Sequence, residues 1–149
     1  MMRRHLLISC AWLFHAAAWL LPVVNGGVTL PKGLPGWEAF RWASSAVWPF
    51  EESGKFDTWY FAALATISAA TTLLFIFGSP WVVLRGSRSL WRASAWAAAT
   101  AFVVNAHWYV LYGGGRSGLR IGYFLWWLSF ALLAIGLFES HRADESKEG

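Results

Sequence analysis

The chain has 149 residues, 57% of them hydrophobic and only 13% charged, against roughly 25% charged in a soluble domain. A water-exposed fold of this composition would carry large apolar patches, so the sequence argues against an ordinary soluble domain and for a bilayer. The net charge of +4 comes from basic residues scattered beside apolar runs; with no groove-reading motif among them, no nucleic-acid partner is expected. Cys10 is the single cysteine, which excludes an intrachain disulfide and a four-cysteine zinc site.

A membrane crossing needs about 20 mostly apolar residues, and four runs qualify by eye. The first, 6–24, holds no Asp, Glu, Lys or Arg. It follows a basic Arg3-Arg4-His5 and contains small residues at Ala16, Ala17 and Ala18, as a signal peptide would. Its apolar stretch exceeds the roughly 7–15 residues of a cleaved leader, so it is read as a retained span. The Leu7-Ile8-Ser9-Cys10 stretch lies too close to His5 to serve as a lipidation signal.

The loop 25–58 opens with turn formers, Asn25-Gly26-Gly27 followed by Pro31, Gly33, Pro35 and Gly36. Residues 37–48 then predict a short amphipathic helix. Trp37, Phe40, Ser44, Val47 and Trp48 share one face, with Glu38, Arg41 and Ser45 on another. Such a helix would lie in the membrane interface or serve as a lid or docking element. Pro49 ends it, and Glu51, Glu52 and Asp57 precede the second run.

The second run, 59–77, carries Thr66, Ser68, Thr71 and Thr72, with Thr58 just before it. Hydroxyls at such spacing can line a polar path and more often bond back to the preceding turn or bridge helices. Gly78-Ser79-Pro80 closes the run, and Arg85, Arg88 and Arg92 follow in a short connection. The third run, 93–112, is alanine-rich and contains Asn105 and His107. Ala93, Ala97, Ala101 and Asn105 form an i+4 stripe that would let another helix approach closely, with Asn105 bonding across the contact. Gly113-Gly114-Gly115-Arg116-Ser117-Gly118 lacks the Gly-Lys-Ser/Thr ending of a phosphate loop and reads as a flexible turn. The fourth run is 121–138, and 139–149 is a mixed-charge tail.

The fold expected is therefore an all-α membrane protein, four transmembrane helices in a compact bundle with an interfacial helix in the first outer loop. Basic residues near span ends favour the cytoplasmic side. With the N-terminus inside, Arg3, Arg4, Arg85, Arg88, Arg92, Arg142 and Lys147 face Lys32, Arg41, Lys55, Arg116 and Arg120 outside, so both termini are expected in the cytoplasm. Trp81, Trp91 and Trp96 would form an inner aromatic belt, with Trp19, Trp59, Trp108, Trp126 and Trp127 an outer one.

Polar groups inside a membrane are functional hypotheses because they are costly unless satisfied. His15, Asn105 and His107 qualify. They suit a proton, ion or solute path, or His15 and His107 suit axial ligation of a haem; further metal ligands are missing from the runs. The plainer role, holding helices together by hydrogen bonds, is the one the sequence favours. No catalytic constellation stands out, so no enzyme is expected. The leading expectation is an accessory or interaction subunit in the lipid bilayer, with a membrane-protein partner or further copies of itself. A small oligomeric transporter or channel using His15, Asn105 and His107 is the alternative.

Leu20-Leu21-Pro22 at the end of the first run, Gly36-Trp37-Glu38-Ala39-Phe40 in the loop and Gly122-Tyr123-Phe124-Leu125-Trp126-Trp127 in the last run make the chain resemble the many small uncharacterised four-span proteins of bacterial inner membranes. The resemblance implies architecture and location and assigns no site residue. The tryptophan content invites comparison with tryptophan-rich sensory proteins, but those have five spans and a proline-and-tryptophan pattern missing here.

Overall fold

Pro22 decides where the first helix stops. Met2–Leu20 is α-helical (α1); proline has no N–H to extend the ladder and keeps the residue before it out of the helical region. The chain turns into β1 (Pro22–Gly26), which pairs antiparallel with β2 (Leu30–Pro35) in an irregular register. The other edge of β1 is covered too. Val24 bridges to Leu119, Asn25 N–H donates to Gly118 O at 2.7 Å, and Arg120 N–H donates to Val23 O at 2.9 Å. The computed structural model describes residues 2–26, 30–45, 47–48, 59–111 and 118–145. Pro49, the acidic Glu51, Glu52 and Asp57, Lys55, the turn at 113–117 with Arg116, and Lys147 lie outside the described residues.

The short helix of the loop is α2 (Gly36–Ser44), which ends in a turn through Ser45 rather than reaching 48 as a helix. Gly36 is needed where it stands: a Cβ there would fall less than 3.0 Å from the backbone of Ala18 and Trp19, so α2 starts directly against the end of α1. The next helix does not end at Gly78-Ser79-Pro80. α3 (Trp59–Leu73) passes through a π-helical turn, Leu74–Gly78, into α4 (Ser79–Arg85). Pro80 lacks an N–H and crowds the turn before it, and the wider π turn accommodates that ring without breaking the rod. α5 (Arg88–Asn105) is interrupted at Ala106, and α6 (His107–Leu111) continues from it. α7 (Ile121–Glu145) closes the fold.

α7 is the central post. α1 runs antiparallel to it, Arg3 pairing with Glu139 at 3.2 Å. α5 also runs antiparallel, with Phe102 stacked on Trp127 and Trp96 edge-on to Phe138. Small residues keep these helices close: Ala11, Ala95, Ala98, Ala101 and Ala134 are buried beside Ile8, Phe130, Leu133 and Leu137. One end of the molecule gathers Arg3, Arg4, Arg85, Arg92 and Arg142. The other carries the hairpin, α2 and the start of α7, where a Cβ on Gly122 would meet Leu21 O and Pro22 O at 2.7 Å.

The four-span bundle is not what the chain forms. Among the described residues two helices are long and apolar enough to cross a membrane, Trp59–Arg85 and Ile121–Arg142. The run 6–24 falls short because Pro22 diverts its last residues into β1 and Arg3, Arg4 and His5 occupy the first turns of α1. The helical stretch from Leu6 to Leu20 spans about 22 Å against a hydrocarbon core of roughly 30 Å. The run 93–112 falls short because it breaks at Ala106 and because the helix that carries it holds Arg88, Arg92 and Asn105, which lower its mean hydropathy. Among the described residues the fold is instead all-α with five helical rods (α1, α2, α3 with α4, α5 with α6, and α7) and one antiparallel hairpin. Placement in a bacterial inner membrane rested on four crossings and is not sustained. Two long apolar helices are consistent with membrane association.

Candidate functional site

A cavity of about 420 Å³ lies at the hairpin end, within the roughly 300–1,000 Å³ typical of small-molecule sites. α1 supplies Ala18 and Trp19, the hairpin Val23 and Leu34, and α2 Ala39 and Phe40. α3 lines the opposite wall with Ala65, Ser68, Ala69 and Thr72, and Trp108, Tyr123 and Trp126 complete it. Among the described residues no Asp, Glu, Lys, Arg or His lines it. The hairpin and α2 hold this space open, since Gly36 and Gly122 fix the backbone approaches on either side.

The polar wall is built around Asn105, which is fully buried. Its Nδ2 donates to Ala101 O at 2.8 Å and to Thr71 Oγ1 at 3.0 Å, and its Oδ1 accepts from Ser68 Oγ at 2.7 Å. The amide orientation follows from the network: Ala101 O can only accept, and the single Thr71 proton goes to Ser68 O at 2.9 Å. Ser68 Oγ accepts from Trp108 Nε1 at 2.9 Å, Thr72 Oγ1 from Trp126 Nε1 at 3.1 Å, and Tyr123 Oη donates to the Asn105 carbonyl at 3.0 Å. Three rods meet in this cluster, which ties α3 to the α5–α7 core.

His15 lies one turn below the cavity floor, 2% exposed. Its ring stacks flat on Phe75 of the π turn, with centroids 4.0 Å apart, and meets the edge of Phe130 at 5.9 Å. Nδ1 lies 3.0 Å from Ser129 Oγ, whose proton goes to Trp126 O at 2.6 Å. Nδ1 therefore donates to the serine, and Nε2 presents a buried lone pair with no hydrogen-bond partner. His15, Phe75 and Phe130 fill the space under the cavity.

His107 stands elsewhere. Its Nδ1 donates to Val104 O at 2.6 Å, its Nε2 is buried without a partner, and its ring tilts against Trp108. The hydrogen bonds and ring contacts of His15 and His107 have no residue in common. Ala101 is buried next to Asn105, whereas Ala93 and Ala97 are exposed; the tight face of α5 runs through Ala95, Ala98 and Ala101. Among the described residues no group of three or more His, Cys, Asp or Glu is placed to hold a metal.

Sequence reasoning named Asn105 and, separately, the hydroxyls of the second run, but did not join them. The signal was Ser68, Thr71 and Thr72, spaced i, i+3, i+4 and so on one helix face, opposite a buried amide on another helix. Trp108 and Trp126 read as interfacial aromatics, yet their indole N–H groups point inward, and so does the Tyr123 hydroxyl. Comparison with known proteins finds no matching family model, no matching curated relative and no matching solved structure.

Proposed function

We propose that this is a small membrane carrier whose substrate chamber is the hairpin-end cavity and whose substrate is a small, mainly apolar molecule. The observation that carries this reading is an aromatic-lined cavity, without a charged side chain among the described residues, backed by the Asn105 network. Apolar walls with a few fixed polar groups are the usual makeup of a small-molecule site. An accessory subunit needs no internal chamber. A permanently open channel is disfavoured because His15, Phe75 and Phe130 close the cavity from below. In this reading Trp59–Arg85 and Ile121–Arg142 cross the membrane, and the arginine-rich end with both termini faces the cytoplasm.

Fluorine NMR with fluorobenzene and the full chain in lipid nanodiscs tests the chamber. A protein-dependent shift is expected that saturates with fluorobenzene and is lost in Ala69→Trp, whose indole fills the cavity. Ala65→Phe is a second fill on the same wall. No saturable shift, or one unchanged in both variants, removes the reading.

A further inference from the structure

We propose that the arginine-rich end is a headgroup site for an anionic phospholipid, seated on Trp81 and Arg85 of α4. This site rests on the membrane placement above and is independent of the chamber. The end of α4 and the start of α5 carry Arg85, Arg88 and Arg92 in close succession, and no Asp or Glu occurs between Asp57 and Glu139. Antiparallel packing of α1 and α5 on α7 brings Arg3, Arg4 and Arg142 to the same end. Of the acids on α7, Glu139 is held by Arg3, and Asp144 and Glu145 follow Arg142 on its last turn. Arg85 and Arg92 are exposed, and neither lies within ion-pair distance of a carboxylate among the described side chains.

Positive charge alone would suit any anion; its surroundings specify a lipid. Trp81, Leu84 and Arg85 stand at i, i+3 and i+4 on one face of α4, and all three are exposed. The Arg85 guanidinium lies over the Trp81 ring, 4.1 Å from its centroid, a cation–π contact that holds it flat. Stacking covers a face of the guanidinium and leaves its N–H edge open, and a phosphate is met in that plane, two oxygens at a time. On the other side of Trp81, the exposed Leu74 and Phe77 of the π turn carry the same rod towards the hydrocarbon. A soluble phosphate gains nothing from this apolar run. A phospholipid uses both parts: its anionic headgroup meets the arginines, and its acyl chains lie along Phe77 and Leu74. Trp81 then sits at the boundary, where indoles are favoured.

Native mass spectrometry of the full chain in a neutral detergent, titrated with dioleoylphosphatidylglycerol or dioleoylphosphatidylcholine, tests the site. The phosphatidylglycerol is expected to bind at least about fivefold tighter, the effect of roughly one arginine beside an anionic lipid. Arg85→Gln and Arg92→Gln should each weaken phosphatidylglycerol binding about three- to fivefold. Trp81→Leu keeps an apolar face, loses the ring and should weaken it about two- to fivefold. Arg120→Gln removes the same charge at the hairpin end and should change nothing. Millimolar glycerol 3-phosphate, a phosphate without acyl chains, should not displace the lipid. Equal affinity for the two lipids, or a loss in Arg120→Gln as large as in Arg85→Gln, overturns the site. Displacement by glycerol 3-phosphate overturns the lipid and leaves a soluble phosphate as the occupant. Each of these failures leaves fluorobenzene binding in the chamber untouched. The wild-type ratio of the two lipids decides by itself where a variant does not fold.

Discussion

Asn105 brings together three hydrogen bonds from its amide and a fourth through its carbonyl, all without solvent. Asn105→Ala leaves Ser68 Oγ without its acceptor, and removing one partner of a buried set costs about 1–3 kcal/mol. Thermal unfolding in detergent should register that loss, whereas Asn105→Asp should be no milder, because a carboxylate cannot donate to Ala101 O. An unchanged melting temperature in both would mean that the amide does not tie α3 to the core. Gly36 makes a different kind of demand. Gly36→Ala puts a methyl group into the backbone of Ala18, and overpacking of this kind costs roughly 1–3 kcal/mol. Because the strain falls at the cavity's rim, fluorobenzene binding should weaken along with stability, and unaffected binding would show that α2 does not shape the chamber.

At the scale of elements, the π turn is the feature most tied to function. It carries Phe75, which is 2% exposed and closes the cavity floor against His15, Phe130 and Trp12. π turns inside α-helices often mark functional sites, and this one sits where a carrier would need its inner gate. Phe75→Ala should raise the permeability of proteoliposomes to glycerol at least several-fold in stopped-flow swelling, while His15→Phe, which keeps an aromatic ring in the plug, should not. Permeability equal to wild type in a folded Phe75→Ala protein would show that no path runs beneath the cavity. Sequence reading reached part of this. The helices followed from apolar runs, and Asn105 stood out as a polar group in one of them. The hairpin stayed hidden because 25–36 is rich in Gly and Pro, which punctuate loops and irregular strands alike. Pro80 looked like a helix end because nothing local reveals that a π turn will absorb it. His15 and Asn105 were visible, but the cavity between them depends on where α2 docks, and that is set by a contact between Gly36 and Ala18 that no periodicity encodes.

The surface of the whole molecule bears on where it sits. Four rows of apolar side chains at seven-residue spacing face outward: Leu6, Leu13 and Leu20; Ile67, Leu74 and Trp81; Trp96, Val103 and Val110; Ile121, Leu128 and Ile135, each between 43% and 80% exposed. A seven-residue repeat returns to nearly the same face of an unbroken α-helix, so the rows on α1 and α7 are continuous outer stripes, while the other two cross the π turn and the break at Ala106. In water such stripes are aggregation liabilities; in lipid they are matched to their surroundings. The two environments give opposite signs to the same substitution. Leu74→Lys, Leu128→Lys and Ile135→Lys, all on the two helices long enough to cross, should each lower the membrane-inserted fraction, since a lysine deep in a bilayer costs about 2.5–3.5 kcal/mol on insertion scales. If water covered these rows, every one of the three would raise solubility without detergent. Fractionation of membranes and cytosol after expression separates the outcomes. The comparison between rows adds resolution: a row whose lysine variant inserts normally faces water or protein rather than acyl chains. Penalties at Leu128 and Ile135 without one at Leu74 would confine lipid to α7, and penalties at all three would place both long rods in lipid.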